Sequence, residues 1–203
     1  MMRGVEVLLT AQEETYGKLI LAQIFTHIWY GDWDHYEQTM NQLPERLVNE
    51  FPFHACYDRK ETKIWHDNYF SIPGIYFVPP YMSSYREKSE TAELDTKQDL
   101  LCLIGAYEKL GFYYPLEREA FPDHIGSLTA FITATLKEEA VALEKGDHEL
   151  VIELADARKE MYDKYLAPCL GVIFKQHQHK FSDSFFNMFI PFYMEEIKGI
   201  AHK

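Results

Sequence analysis

Cysteine is scarce in this chain of 203 residues. Cys56, Cys102 and Cys169 are an odd number with no C-x-x-C pair, which excludes a disulfide framework and a zinc ribbon and leaves reduced, mostly buried thiols as the expectation. Basic residues are outnumbered: 20 Lys+Arg stand against 32 Asp+Glu, a formal net charge of −12. Phosphate backbones are bound by clustered Lys and Arg, and no such cluster occurs, so nucleic acid is excluded as a partner and a basic partner is the natural converse. Long apolar runs are missing too. The longest, Leu100 to Tyr107, falls far short of the ~20 residues of a membrane-spanning helix, so no stable membrane insertion is expected. The opening residues carry one Arg and a few apolar side chains before Gln12, Glu13 and Glu14, too little for a secretory signal. A soluble, cytoplasmic chain that is not itself exported is expected. Strand signals are nearly absent: Ile75 to Val78 alone looks extended, and four residues make no sheet, so it reads as a loop segment.

What the chain has is apolar and aromatic mass, with 47% hydrophobic residues including 14 Phe, 14 Tyr and 3 Trp. That suffices for a core without metal or disulfide. No linker or internal repeat divides it, and one domain over residues 1–203 is expected. The pattern is helical. Thr10 and Glu13 form a capping box ahead of Tyr16, Ile20, Ile24 and Ile28, and Gly31 stands where a helix-ending glycine belongs. With Leu19, Leu21 and Phe25 apolar as well, this helix should be central and buried. Asp32 to Asn49 is a weaker helix that Pro44 must interrupt or restart. Thr62 to Phe70 suits a short helix. A second capping box, Asp95 to Gln98, opens a helix with Leu100, Leu103, Ile104, Tyr107 and Leu110 on its inner face, closed by Gly111. Asp123 caps a run through Ile125, Leu128, Ile132 and Leu136. Gly146 ends that helix and Asp147 caps the next, in which Leu150, Leu154, Ala157, Met161 and Tyr165 recur. Pro168 starts a helix to about Phe181, and a last one from Ser184 must kink or break at Pro191. The fold class is all-α, a single globular multi-helix domain.

Local signatures of catalysis are wanting. The zincin, P-loop, dinucleotide and nucleophile-elbow motifs are all absent, and none of the nine His residues has a Glu three positions earlier, as a di-iron bundle requires. His177 and His179 are two apart, so on a helix they diverge and cannot share a metal; they read as exposed. His54-Ala55-Cys56 has no second ligand pair nearby. The acidity is uneven: residues 85–163 carry 18 acidic and 9 basic side chains, a net −9.

Two segments stand out. In Val78-Pro79-Pro80-Tyr81-Met82-Ser83-Ser84-Tyr85 a proline pair fixes an extended approach, and Tyr81 and Tyr85 are one turn apart if a helix starts there. In Phe121-Pro122-Asp123-His124-Ile125-Gly126 a helix start combines free N–H groups, a carboxylate and an imidazole, a plausible recognition point. The plainer reading is that Asp123 caps and His124 fills space in the first turn.

At these residues the chain resembles the TorD/DmsD/NarJ family of molybdoenzyme maturation chaperones. Pro79-Pro80-Tyr81-Met82-Ser83-Ser84-Tyr85, then Tyr107-Glu108-Lys109-Leu110-Gly111-Phe112, then Pro122-Asp123-His124-Ile125-Gly126 with Phe131 seven residues after the His follow the family's order and intervals. Tyr165 to Leu170 and Ser184-Phe185-Phe186 are similar to its C-terminal helices. The chain departs from the family at Leu128 and Thr129, where Glu four residues after the His and a following Leu are frequent, and at Tyr81 and Cys169, where Trp is frequent. The resemblance implies a TorD-like fold and binding in place of catalysis: the partner is the N-terminal leader of a molybdoenzyme catalytic subunit, usually of twin-arginine type, held until cofactor insertion is complete. It implies Trp65, Pro80, Tyr81 and Tyr85 as an apolar groove and Pro122, Asp123 and His124 as its polar end, in a monomer or homodimer with no required cofactor. A weak guanine-nucleotide affinity comes with the resemblance only, since no phosphate cradle appears. Two alternatives stay open from the residues: a helical nucleotide-binding or hydrolysing protein with Asp123 and His124 acting on a phosphate ester, and an adaptor without leader specificity.

Overall fold

The computed structural model describes residues 2–85, 90–112 and 121–202, with side chains from residues 11, 97 and 121 onward in the three stretches. The helices are α1 (Met2–Tyr30), α2 (Trp33–Gln42), α3 (Glu45–Val48), α4 (Arg59–His66), α5 (Glu90–Lys109), α6 (Ile125–Lys145), α7 (His148–Met161), α8 (Ala167–His177) and α9 (Ser184–His202). Among the described residues there is no strand, and Ile75 to Val78 is loop, as its shortness suggested. No described helix is long and apolar enough to cross a membrane.

The expected breaks fall where local chemistry demands them. Gly31, Gly111 and Gly146 have φ of +64°, +63° and +70°, a left-handed turn that only glycine enters without strain. Pro44 caps α3, separating it from α2, and the Asp147 carboxylate accepts the Leu150 N–H at 3.1 Å to start α7. Four expectations fail. Both capping boxes lie inside helices, because α1 begins at Met2 and α5 at Glu90; the side chains of Thr10, Asp95 and Thr96 lie outside the described residues. Asp123 does not cap α6, since His124 does so. Nor does Pro191 break α9, which runs through it. Pro191 and Asn187 are both exposed, so the carbonyl that loses its N–H partner is free to find water.

Packing centres on α1 against α6, where the Thr26 and Thr133 hydroxyls meet at 3.0 Å. Ile24, Phe25 and Ile28 are fully buried there, each side chain stabilising by roughly 1.5–3 kcal/mol. From α9, Phe189 and Tyr193 reach Phe25 and Trp29 at centroid distances of 5.0–6.0 Å, mostly edge-on, the geometry that aromatic quadrupoles favour. One buried ion pair ties four helices: Arg158 of α7 bonds Glu139 of α6 at 2.7 Å, Glu139 also accepts from Thr15 of α1, and Arg158 donates to the Ile200 carbonyl of α9. The helix from α7 to α8 is continuous through a π-turn at Tyr162–Leu166, which widens the backbone just before Pro168 and its missing N–H. Of the thiols only Cys169 is buried; Cys56 is half-buried and Cys102 exposed, against the expectation of mostly buried cysteines.

Candidate functional site

The two segments that stand out in the sequence close on each other. Tyr81 and His124 form an isolated antiparallel bridge: the Ile125 N–H donates to the Pro80 carbonyl at 2.8 Å, and the Met82 N–H to the Asp123 carbonyl at 3.0 Å. The Asp123 carboxylate accepts the Ser83 N–H at 2.9 Å, which orients the 3-10 turn Met82–Tyr85. Further braces hold this latch. The Tyr85 hydroxyl donates to the Pro79 carbonyl at 2.8 Å, Tyr107 of α5 donates to the Pro122 carbonyl at 2.7 Å, and the Ser127 hydroxyl donates to the Phe121 carbonyl at 3.0 Å.

His124 has a distinct task. Its Nδ1 accepts the Gly126 N–H at 2.9 Å, which caps α6 and places the ring proton on Nε2. The Tyr30 ring stacks on it at 5.6 Å. A Cβ at Gly126 would sit 2.9 Å from both the imidazole and that ring, so glycine is needed here for space. Asp123 and His124 are only 3% and 8% exposed. Burial, helped by the nearby His66, lowers the His124 pKa to about 4, so the imidazole is neutral near pH 7 and its acceptor role is kept. Burial, then the Asp123 charge, pushes the Cys169 thiol up to about 12, which makes it inert as a nucleophile. The same two causes raise the Tyr81 phenol. Among the described residues no group of three His, Cys, Asp or Glu is placed to hold a metal ion, and His54 bonds the Tyr36 hydroxyl at 2.8 Å.

The nitrate reductase delta subunit family matches residues 38–175, most of the chain and all of the latch. The chain belongs to that family. Its members are the TorD/DmsD/NarJ chaperones that mature molybdoenzymes, and they bind the partner enzyme subunit. No curated protein and no solved structure matches the chain.

For a member of the delta subunit family, the placement of the residues singled out in the sequence separates them. Pro80, Tyr81, Tyr85, Pro122, Asp123 and His124 come together in the latch, with Tyr81 against Phe121 and His124 at 5.9 and 5.2 Å. Trp65 lies in an adjoining aromatic group, stacked on Tyr69 and edge-on to Tyr76, both at 5.3 Å. Tyr69 links the two, since its carbonyl accepts the Val78 N–H at 2.7 Å. Asp123 and His124 are buried, while large apolar side chains that flank the latch in sequence face water: Phe121, Ile75, Ile72 and Tyr76 are exposed by 64, 80, 55 and 38%. Sequence reasoning missed Phe121, which stood inside a quoted motif, and His177. The latter is half-buried against Tyr85 at 6.0 Å, whereas His179 is exposed as expected. Nothing in local spacing would have paired His177 with Tyr85, ninety-two residues earlier.

Proposed function

We propose that this chain holds the N-terminal, twin-arginine-type leader of a molybdoenzyme catalytic subunit in the cytoplasm until cofactor insertion and assembly are complete. The observation that carries the reading is the exposure of four large apolar side chains, Phe121 beside Tyr81 of the latch and Ile72, Ile75 and Tyr76 in the segment that leads into it. A water-facing apolar surface of this kind is a liability unless a partner covers it. The apolar run of a leader supplies that cover, and the buried bonds of the latch keep the surface in shape without themselves touching the peptide.

Calorimetric titration with leader peptides of molybdoenzyme catalytic subunits tests this. Binding is expected, and Phe121→Ser or Ile75→Ser should weaken it about tenfold with little change in stability, because each removes an exposed apolar contact. Absence of binding to every leader, in protein that melts cooperatively, would overturn the reading.

A further inference from the structure

A groove of about 650 Å³ opens between α5 and α7. Phe131, Met161 and Tyr165 line its interior, and Glu149, Glu153, Asp156 and Glu160 line its α7 side. These carboxylates recur at intervals of four, three and four, so they share one helix face over about 16 Å. All four are exposed, with Ile152 among them at 63%. Two lysines also line the groove: Lys109 of α5 bonds Glu153 at 2.8 Å, and Lys164 lies within reach of the Glu160 charge. Groove and latch share a helix, since Tyr107 of α5 donates to the Pro122 carbonyl.

An apolar interior beside a row of carboxylates complements an amphipathic helix that has an apolar face and an arginine on its edge. We propose that this groove seats the basic end of the leader as such a helix, with a guanidinium on the α7 carboxylates in place of Lys109. The assignment rests on the leader reading above and adds where the charge is read. Lys109 and Glu153 are 70% and 51% exposed, so their bond is weak and gives way readily. A planar, bidentate guanidinium replaces an ammonium to advantage. A segment without a guanidinium gains nothing to offset even that small loss, so the pair biases the groove modestly toward basic peptides.

Two cysteines provide a local readout: Cys102 lines the groove and is exposed, while Cys56 lies elsewhere, beside Met188 of α9. The probe is a leader peptide of a molybdoenzyme catalytic subunit from the same organism, alongside the same peptide with glutamine for its arginines. At saturating leader, maleimide labelling of Cys102 should slow about tenfold and that of Cys56 should not change, because a seated helix covers one and not the other. Glu153→Lys with Asp156→Lys should weaken binding at least tenfold more than the exposed control Glu195→Lys, and Lys109→Met should tighten it severalfold for the arginine peptide alone. If the leader binds but Cys102 labels at its free rate and the α7 reversals act no more than the control, the groove assignment falls and the leader reading stands. If no leader binds the unaltered protein, both fall.

Discussion

At the latch, Asp123 and His124 are almost wholly buried, each engaged by backbone N–H groups; along the α5–α7 groove, four carboxylates face water beside two lysines. The two places share α5, yet their chemistry is opposite. A polar group that is buried and bonded to the backbone serves the fold first, and its removal strands the partners it leaves behind. An exposed carboxylate contributes little to folding and is free to be read. On the proposed reading, the residues that carry the family motif shape the site, and the residues suited to reading charge lie where no short motif marks them.

The largest expected effect sets the scale for a purely structural polar group. Glu139→Ala leaves Arg158 charged and buried among four helices, and a loss of about 3–5 kcal/mol is expected in a urea melt. Next is the pH response of the latch. Because the His124 pKa is about 4 in the fold against an ordinary 6.5, the unfolded chain takes up the proton first. Stability is then complete above pH 6.5 and falls as the pH drops toward 4, by about 3 kcal/mol in all. His54 and His177 are lowered as well, so His124→Asn, which keeps a capping oxygen, should flatten the slope in that window without abolishing it. An unchanged slope would mean the imidazole is not held neutral by the fold.

Asp123→Ala should cost about 1–3 kcal/mol, since the Ser83 N–H loses its acceptor, whereas Asp123→Asn retains an oxygen and should restore most of it. If Asp123→Asn kept full stability and lost leader affinity, the carboxylate would be touching the peptide and the contrast between latch and groove would collapse. The smallest effect on folding belongs to the groove. Lys109→Met and Ile152→Ser should leave the melting midpoint where it is, both side chains being largely exposed, and Ile152→Ser should weaken leader binding severalfold through lost apolar contact.

Much of the fold was legible. The periodicities through Ile24–Ile28 and Leu128–Ile132–Leu136 identify buried faces of α1 and α6, two helices that the structure pairs, although Tyr16 at the start of the α1 stripe is exposed and Ile20 only half-buried. Most of the candidate site was legible too, since Pro80, Tyr81, Tyr85, Pro122, Asp123 and His124 meet in one place. The roles within it were not. Asp123 precedes an apolar helical run, the usual position of a cap, yet its carboxylate reaches Ser83 forty residues back while His124 caps. A capping signal states which end is available; tertiary packing decides whether the helix stops there, and α1 and α5 continue past theirs.

The sequence by itself determined the helical class, the turns at Gly31, Gly111 and Gly146, and the restarts at Pro44 and Asp147. These depend on 3.6-residue periodicity, on positive φ and on caps within a few positions, all local quantities. Only the tertiary structure decided that Arg158 is a buried tie, that Asp123 and His124 turn inward, and that an acidic face of α7 borders an open groove beside α5. Burial and charge accessibility depend on which surfaces meet across dozens of residues, and no spacing along the chain records that.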